Sequence, residues 1–325
     1  MSAPNELCTH RMQVHHIKQE CPDVWTLSLI SHDVYLYEPG QFALVSIENS
    51  ETLRAYTLSS TPGQSRFITL TVRRLANGSG SEWLTRRVKI GDFLWLSDAG
   101  GDFTCARRED SRYLLLAAGC GVTPIMSMCR WLAANRPGAD VQVIYSVRSP
   151  EEIIFADAWP SLQPWLRLTL FAEQGARAPI MDGRLTRAHL AALVPDIATR
   201  RVMVCGPAPY MELVQKDALA LGAADVQQER FHTAAVTGSG RLNITLARLR
   251  REFSAPVGTT LLTALEENNV PVNAACRAGV CGCCKTRLLS GRYTTTSTLT
   301  LTPAEIAEGY VLACSCHLQG DVAVA

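Results

Sequence analysis

The chain reads as three consecutive modules: a small antiparallel β-barrel, a doubly wound α/β domain with a parallel sheet, and a compact cysteine-rich module. Three observations carry this division. Apolar residues alternate at period two from Arg11 to Ala99, continuous apolar runs alternate with helical stretches from Ser111 onward, and six of the twelve cysteines fall between Cys276 and Cys316. A length of 325 residues fits two ordinary domains or three small ones.

The barrel comes first, over residues 9–107. Its alternating segments include Trp25-Thr-Leu-Ser-Leu29, Phe42-Ala-Leu-Val-Ser-Ile47 and Phe67-Ile-Thr-Leu-Thr-Val72, with breaks at Pro39-Gly40, Pro62-Gly63 and Asn77-Gly78. About six strands are expected. The second module, 108–232, opens on the buried run Tyr113–Ala118 and continues through Val141–Val147, Leu166–Ala172 and Val202–Val204. A helix is expected after Gly119-Cys-Gly121, with Thr123 as its N-cap and Pro124 at its first position, and another over Pro209–Leu221. The small, glycine-bearing stretch Thr233–Gly240 reads as a linker, taken over 233–243. The third module, 244–325, is expected to hold a strand near Ile244–Leu249, a turn at Pro256–Gly258, a helix carrying Leu261, Leu262 and Leu265, and short elements near Pro303–Glu308 and Tyr310–Ala313.

Composition narrows the function classes. Hydrophobic residues at 47% and charged residues at 19% belong to a folded globular chain. Thirty-one Lys and Arg against thirty Asp and Glu leave no whole-chain footprint for nucleic acid or anionic lipid. Met1–His10 lacks the basic start and apolar run of a secretory signal, and no apolar stretch approaches the roughly 20 residues that span a bilayer. The expectation is a cytoplasmic protein without membrane insertion. A reducing compartment favours metal or redox roles for clustered cysteines.

The cysteine loop is Cys276-Arg-Ala-Gly-Val-Cys281-Gly-Cys-Cys284, with Cys314 far downstream. C-x4-C-x2-C with a distant fourth cysteine is the spacing that holds a 2Fe–2S cluster through Cys276, Cys281, Cys284 and Cys314. Zinc also takes four cysteines, but usually from two short C-x2-C knuckles, and the single long-range Cys314 argues against it. Cys283 and Cys316 are surplus and read as packed or partly exposed thiols. A module of about 80 residues holds only a modest core, so a metal centre would help it fold.

On these residues the third module resembles plant-type ferredoxins, which implies a β-grasp fold. Between 244 and 325 it carries seven Lys and Arg against six Asp and Glu, whereas free plant ferredoxins are strongly acidic. A tethered ferredoxin meets its reductase at high effective concentration and needs less electrostatic steering.

Arg54-Ala-Tyr56-Thr57-Leu-Ser-Ser60 resembles the flavin signature R-x-Y-[S/T]-x-x-S of the ferredoxin–NADP reductase-like superfamily. The resemblance implies Arg54 on the flavin phosphates, Tyr56 against the isoalloxazine and the Thr57 hydroxyl near its reactive N5. Gly78-Ser79-Gly80-Ser81 leads into a helix and offers free backbone N–H groups to a pyrophosphate. Gly119, Gly121, Thr123 and Pro124 follow a buried strand and open a helix, in the superfamily's G-x-G-x-x-P form of a dinucleotide turn. Cys205-Gly206-Pro207 resembles its C-G-P motif, where the nicotinamide comes to lie beside the flavin. Glu229-Arg230-Phe231 resembles the E-x-F ending of related nucleotide domains.

The module order and the near-continuous matches around Gln13, Arg54, Leu115, Cys205 and Ala274 are similar to the NADH oxidoreductases that reduce hybrid-cluster proteins. The resemblance implies hydride transfer from NADH to FAD, with Thr57 and Cys205 at the reacting centre. Single electrons then pass through the 2Fe–2S cluster to a partner redox protein, a hybrid-cluster protein. The reductase of a Rieske-type oxygenase would share all three modules, and an iron–sulfur redox sensor would need an output element that the sequence does not show. The residues after Val141–Val147, including Arg148, leave NADH against NADPH open. FAD rests on the same resemblance, with FMN the alternative.

Overall fold

The structure is a computed structural model and describes residues 6–76, 78–230 and 240–325. Most of the linker expected over 233–243, and Phe231 of the E-x-F segment, lie outside the described residues. The chain divides into two compact units, cut at 50/51, 55/56 and 230/231, so that residues 51–55 group with the C-terminal module.

The six expected strands of the barrel are present: β1 (His10–Cys21), β2 (Val24–Ile30), β3 (Phe42–Ser46), β4 (Leu53–Thr57), β5 (Ile68–Arg73) and β6 (Phe93–Leu96), in the order β4-β3-β6-β1-β2-β5. Leu58, just past β4, bridges to Leu70 of β5, and the Ser59 N–H donates to the Thr69 carbonyl at 2.9 Å, so the last edge strand is reached from the first and the sheet closes. Met12, Leu27, Leu29, Leu70 and Leu94 are fully buried inside. Each such side chain contributes about 1.5–3 kcal/mol relative to exposure.

The second sheet is entirely parallel: β7 (Arg112–Ala118), β8 (Asp140–Val147), β9 (Arg167–Ala172), β10 (Met181–Asp182), β11 (Arg201–Cys205) and β12 (Val226–Glu229) run in the order β10-β9-β8-β7-β11-β12. Buried runs such as Tyr113–Ala117 are continuous because helices cover both faces of a parallel sheet. In chain order the helices are α1 (Ser79–Glu82), α2 (Val122–Asn135), α3 (Trp159–Leu162), α4 (Arg187–Leu193) and α5 (Ala208–Ala220). Helix α5 stops before Gly222, whose φ of +97° suits glycine, close to the expected end.

Two expectations are corrected. Helix α2 begins at Val122, preceded by a tight turn over Gly119–Gly121, so Thr123 is inside the helix and Pro124 is its third residue. The Thr123 hydroxyl donates to the Cys120 carbonyl at 3.0 Å instead of capping an N–H. Pro124 still lies within the first turn, where no intrahelical N–H bond is lost.

The C-terminal module is also more strand-rich than its pattern suggests. It folds as β13 (Arg241–Leu246), β14 (Arg251–Pro256), α6 (Leu261–Glu267), β15 (Lys285–Thr295), α7 (Pro303–Ala307), β16 (Tyr310–Leu312) and β17 (Cys316–Val324), in the sheet order β14-β13-β17-β15-β16. The first strand lies three residues earlier than expected, and residues 247–250 form the hairpin turn. Parallel pairing of β13 with β17, with α6 packed on the sheet, is the β-grasp arrangement. Among the described residues no helix is long and apolar enough to cross a membrane.

Candidate functional site

The parallel sheet reverses its strand order between β7 and β11, and open α/β sheets take ligands in the crevice at that point, beyond the carboxyl ends of the strands. The sequence motifs converge there. Ala117 and Cys205 are register partners, so Gly119–Gly121 and Gly206–Pro207 leave adjacent strands side by side. A Cβ on Gly121 would lie 2.0 Å from the Cys205 carbonyl oxygen, and one on Gly206 would lie 3.0 Å from Cβ of Ala118. The two turns therefore touch backbone to backbone. They open onto the N-terminus of the 14-residue helix α2, where unpaired N–H groups and the helix dipole favour an anion. Pro207 caps α5 with an extended backbone.

The Cys205 side chain is fully buried, and burial, reinforced by the nearby Glu229 carboxylate, pushes its thiol well above the usual range. It is held as S–H. Glu229 is its register partner on β12 and ranks among the groups that sequence reasoning underused. Its Oε2 is sealed from solvent without a hydrogen-bond partner among the described residues, and burial pushes the carboxyl up to about 8. Arg73, at the end of β5, was missed altogether. It donates Nε to the Cys120 thiol at 3.3 Å and Nη1 to Glu152 at 3.1 Å, linking the barrel to the dinucleotide turn. A lone arginine after an alternating strand gives no pattern to find it by.

On the barrel, Tyr56 is half-buried against the core, and Thr57 ends β4 with its hydroxyl buried and without a partner among the described residues. Leaving a buried hydroxyl unbonded costs about 1–3 kcal/mol, so an unmet hydroxyl at this position suits an acceptor atom of a bound group. The Arg54 guanidinium donates to the Leu53 carbonyl at 2.8 Å and to the Ala275 carbonyl at 3.4 Å. Gly78–Ser81 is not a free loop. Ser79, Gly80 and Ser81 form the first turn of α1, which continues as a π-helical turn over Trp83–Arg87. The Ser81 hydroxyl accepts from the Leu75 N–H and donates to the Gly78 carbonyl, both at 3.0 Å, fixing the entry to that turn.

In the C-terminal unit, the loop before β15 gathers the four spaced cysteines. Cys284 and Cys314 sulfurs are 3.3 Å apart, and Cys276 pairs chiefly with Cys281. Backbone N–H groups of Ala278 and Gly279 donate to the sulfurs of Cys276 and Cys314 at 3.4 and 3.1 Å. Gly279 adopts φ +72°, and a Cβ there would stand 2.7 Å from that of Ser297, so the loop closes only with glycine. Hydrogen bonding with the Cys281 and Cys314 sulfurs holds Cys276 well below the usual thiol range, and hydrogen bonding with Cys314 lowers Cys284. Their partners Cys281 and Cys314 are correspondingly raised. Two of the four sulfurs are thus favoured as thiolates, the form that binds metal. Among the described residues no three His, Cys, Asp or Glu side chains converge as a single ion requires, whereas a 2Fe–2S cluster takes its cysteines two to each iron. The surplus thiols differ: Cys283 is half-exposed, while Cys316 is fully buried and pushed up to about 12.

Comparison with known proteins agrees with this geometry. Residues 12–104 match an oxidoreductase FAD-binding domain, 115–216 an oxidoreductase NAD-binding domain and 244–319 a 2Fe–2S iron-sulfur cluster binding domain. The chain is 62% identical to the NADH oxidoreductase HCR of Escherichia coli K12, over the full length of both. It is 28% identical to the glycine betaine monooxygenase reductase subunit of Chromohalobacter salexigens, over 97% of this chain and 95% of that one. A phthalate dioxygenase reductase, solved as a modular structure for electron transfer from pyridine nucleotides to a 2Fe–2S centre, shares the fold at a TM-score of 0.67 and 22% identity over 97% of each chain.

Proposed function

Because the chain belongs to the family of the NADH oxidoreductase HCR, electron-transfer reductases with FAD-binding, NAD-binding and 2Fe–2S domains, we propose that it draws electrons from NADH and delivers them to a hybrid-cluster protein. The functional modules in this reading are 9–107, 108–232 and 244–325, joined by the linker 233–243. Twelve cysteines free of disulfides suit a reducing cytoplasm.

Arg54 meets the flavin phosphates, Tyr56 lies against the flavin ring, and the Thr57 hydroxyl meets an atom of the ring. The N–H groups of Ser79, Gly80 and Ser81 take the flavin pyrophosphate, while that of Gly78 donates to the Leu75 carbonyl at 3.1 Å and holds the turn. Gly119, Gly121, Thr123 and Pro124 shape the turn for the NADH pyrophosphate, and Cys205, Gly206 and Pro207 flank the nicotinamide. A buried Cys205 thiol kept protonated offers a neutral S–H and excludes water without competing for the hydride. Cys276, Cys281, Cys284 and Cys314 hold the cluster. Bound in these places, flavin and cluster supply the exchange of a two-electron hydride for single electrons.

The observation that carries the flavin reading is the sealed Thr57 hydroxyl at the end of β4, without a partner among the described residues. The choice of partner is supported by the full-length likeness to HCR. The test uses the full chain with NADH and purified hybrid-cluster protein. Wild type should reduce it, while Cys314→Ser should leave it oxidised yet still pass electrons from NADH to a small dye. Wild type that reduces a Rieske oxygenase and leaves hybrid-cluster protein oxidised would replace the partner.

A further inference from the structure

A cavity of about 280 Å³ lies between β1, β2 and β5 on one side and α2 and the segment that leads into α3 on the other. It is lined in part by Lys18, Glu20, Thr69, Arg130, Phe155 and Asp157, none of them assigned above to flavin, nicotinamide or cluster. Its charges are unevenly matched. The Lys18 ammonium lies 3.3 Å from Glu20 and 2.9 Å from Asp157, so both carboxylates share one cation. Arg130, projecting from α2, has no carboxylate within 4 Å among the described residues; its guanidinium carbon lies 5.7 Å from the centre of the Phe155 ring. Burial pushes the Arg130 pKa down, and Glu20 acts on it only through its field.

Phe155 is itself unusual. It is a bulky, buried residue at φ +59°, a strained conformation that persists only where its surroundings impose it. That backbone turns the ring to the cavity floor beneath the guanidinium. A half-buried guanidinium that no carboxylate contacts directly is expensive, and its planar fork fits the two oxygens of a carboxylate or phosphate. The volume suits a molecule of a few carbon atoms, not a nucleotide.

We infer that this cavity binds a small carboxylate or phosphate anion through the Arg130 guanidinium, with Phe155 as its apolar floor. Bound there, the anion would touch both the barrel and the nucleotide domain, and so would raise the stability of the unit they form.

The test is the melting temperature of the holoenzyme, with FAD bound and NAD⁺ saturating so that the nucleotide sites are filled. Potassium phosphate and sodium propionate are compared with chloride at equal ionic strength. At about ten times the dissociation constant either anion should raise the melting temperature by about 2–5 °C in wild type and not in Arg130→Met. Should Arg130→Met fail to fold, Arg130→Lys decides: the apparent dissociation constant for phosphate should rise about tenfold with loss of the bidentate fork. No anion-specific rise in wild type, an equal rise in Arg130→Met, or an unchanged constant in Arg130→Lys overturns the inference.

Discussion

The dinucleotide turn and the cysteine loop both depend on glycine, yet they are held in opposite ways. At the turn, Gly121 presses against the Cys205 carbonyl between two fully buried strands, and its shape follows from packing that exists without any ligand. In the loop, Gly279 and Gly282 take positive φ values, and the walls are four sulfurs that would repel one another as thiolates. The first site is preformed by its sheet. The second needs its metal to neutralise the charge it gathers, so metal binding there is also folding energy.

The sharpest way to break this comparison is to remove the metal. Cys314→Ser, or iron chelation, should abolish reduction of a protein acceptor and loosen the C-terminal unit. The barrel and nucleotide domain, with their own cores, should still oxidise NADH with a dye. Visible absorption, near-ultraviolet circular dichroism and the two activities measured on one sample check this. Cys283→Ser and Cys316→Ser should keep the cluster, and loss in Cys316→Ser with retention in Cys314→Ser would reassign the fourth ligand.

The preformed site breaks through packing instead. Gly121→Ala places a methyl group 2.0 Å from the Cys205 carbonyl oxygen, where neither backbone can yield cheaply, and overpacking of this kind costs about 1–3 kcal/mol or more. KM for NADH should rise at least tenfold while flavin content is unchanged. Normal KM in Gly121→Ala would show that the turn is looser than its packing implies. On the flavin side, Arg54→Ala should weaken flavin retention about ten- to a hundredfold, read by dialysis and absorbance. Thr57→Ala should keep the flavin and slow its reduction by NADH, checked by stopped-flow.

The same contrast explains what the sequence made legible. Six barrel strands, the parallel sheet and the site turns could be read because buried alternation, continuous apolar runs and glycine at strand ends each have one structural cause. The C-terminal strands were hidden. β14 is an edge strand that begins on the exposed Arg251 and Glu252, and β15 buries Leu288 alone along eleven residues, so neither carries a period-two signal. The four spaced cysteines of this module stand out nevertheless, because the spacing that suits a cluster is written in the sequence itself. Glu229 was seen only as part of a motif. Its importance comes from pairing with Cys205 across two strands, which no local pattern records.

Glu229 supplies the smallest effect and tests whether the preformed site holds a strained charge. Its carboxyl is raised to about 8 by burial from an ordinary value near 4.5. Between these values the folded protein keeps a proton that the unfolded chain has lost, so stability falls as pH rises through this window and levels off above about 8. Glu229→Gln keeps the shape, removes the titration and should flatten that part of the profile, leaving the low-pH stability close to wild type. Melting temperature of the flavin-loaded enzyme from pH 5 to 9 reads the difference between the two curves. Parallel curves would mean that Glu229 ionises freely in the folded protein and that the switch point is open to water, which would bring it closer in character to the cysteine loop than its packing indicates.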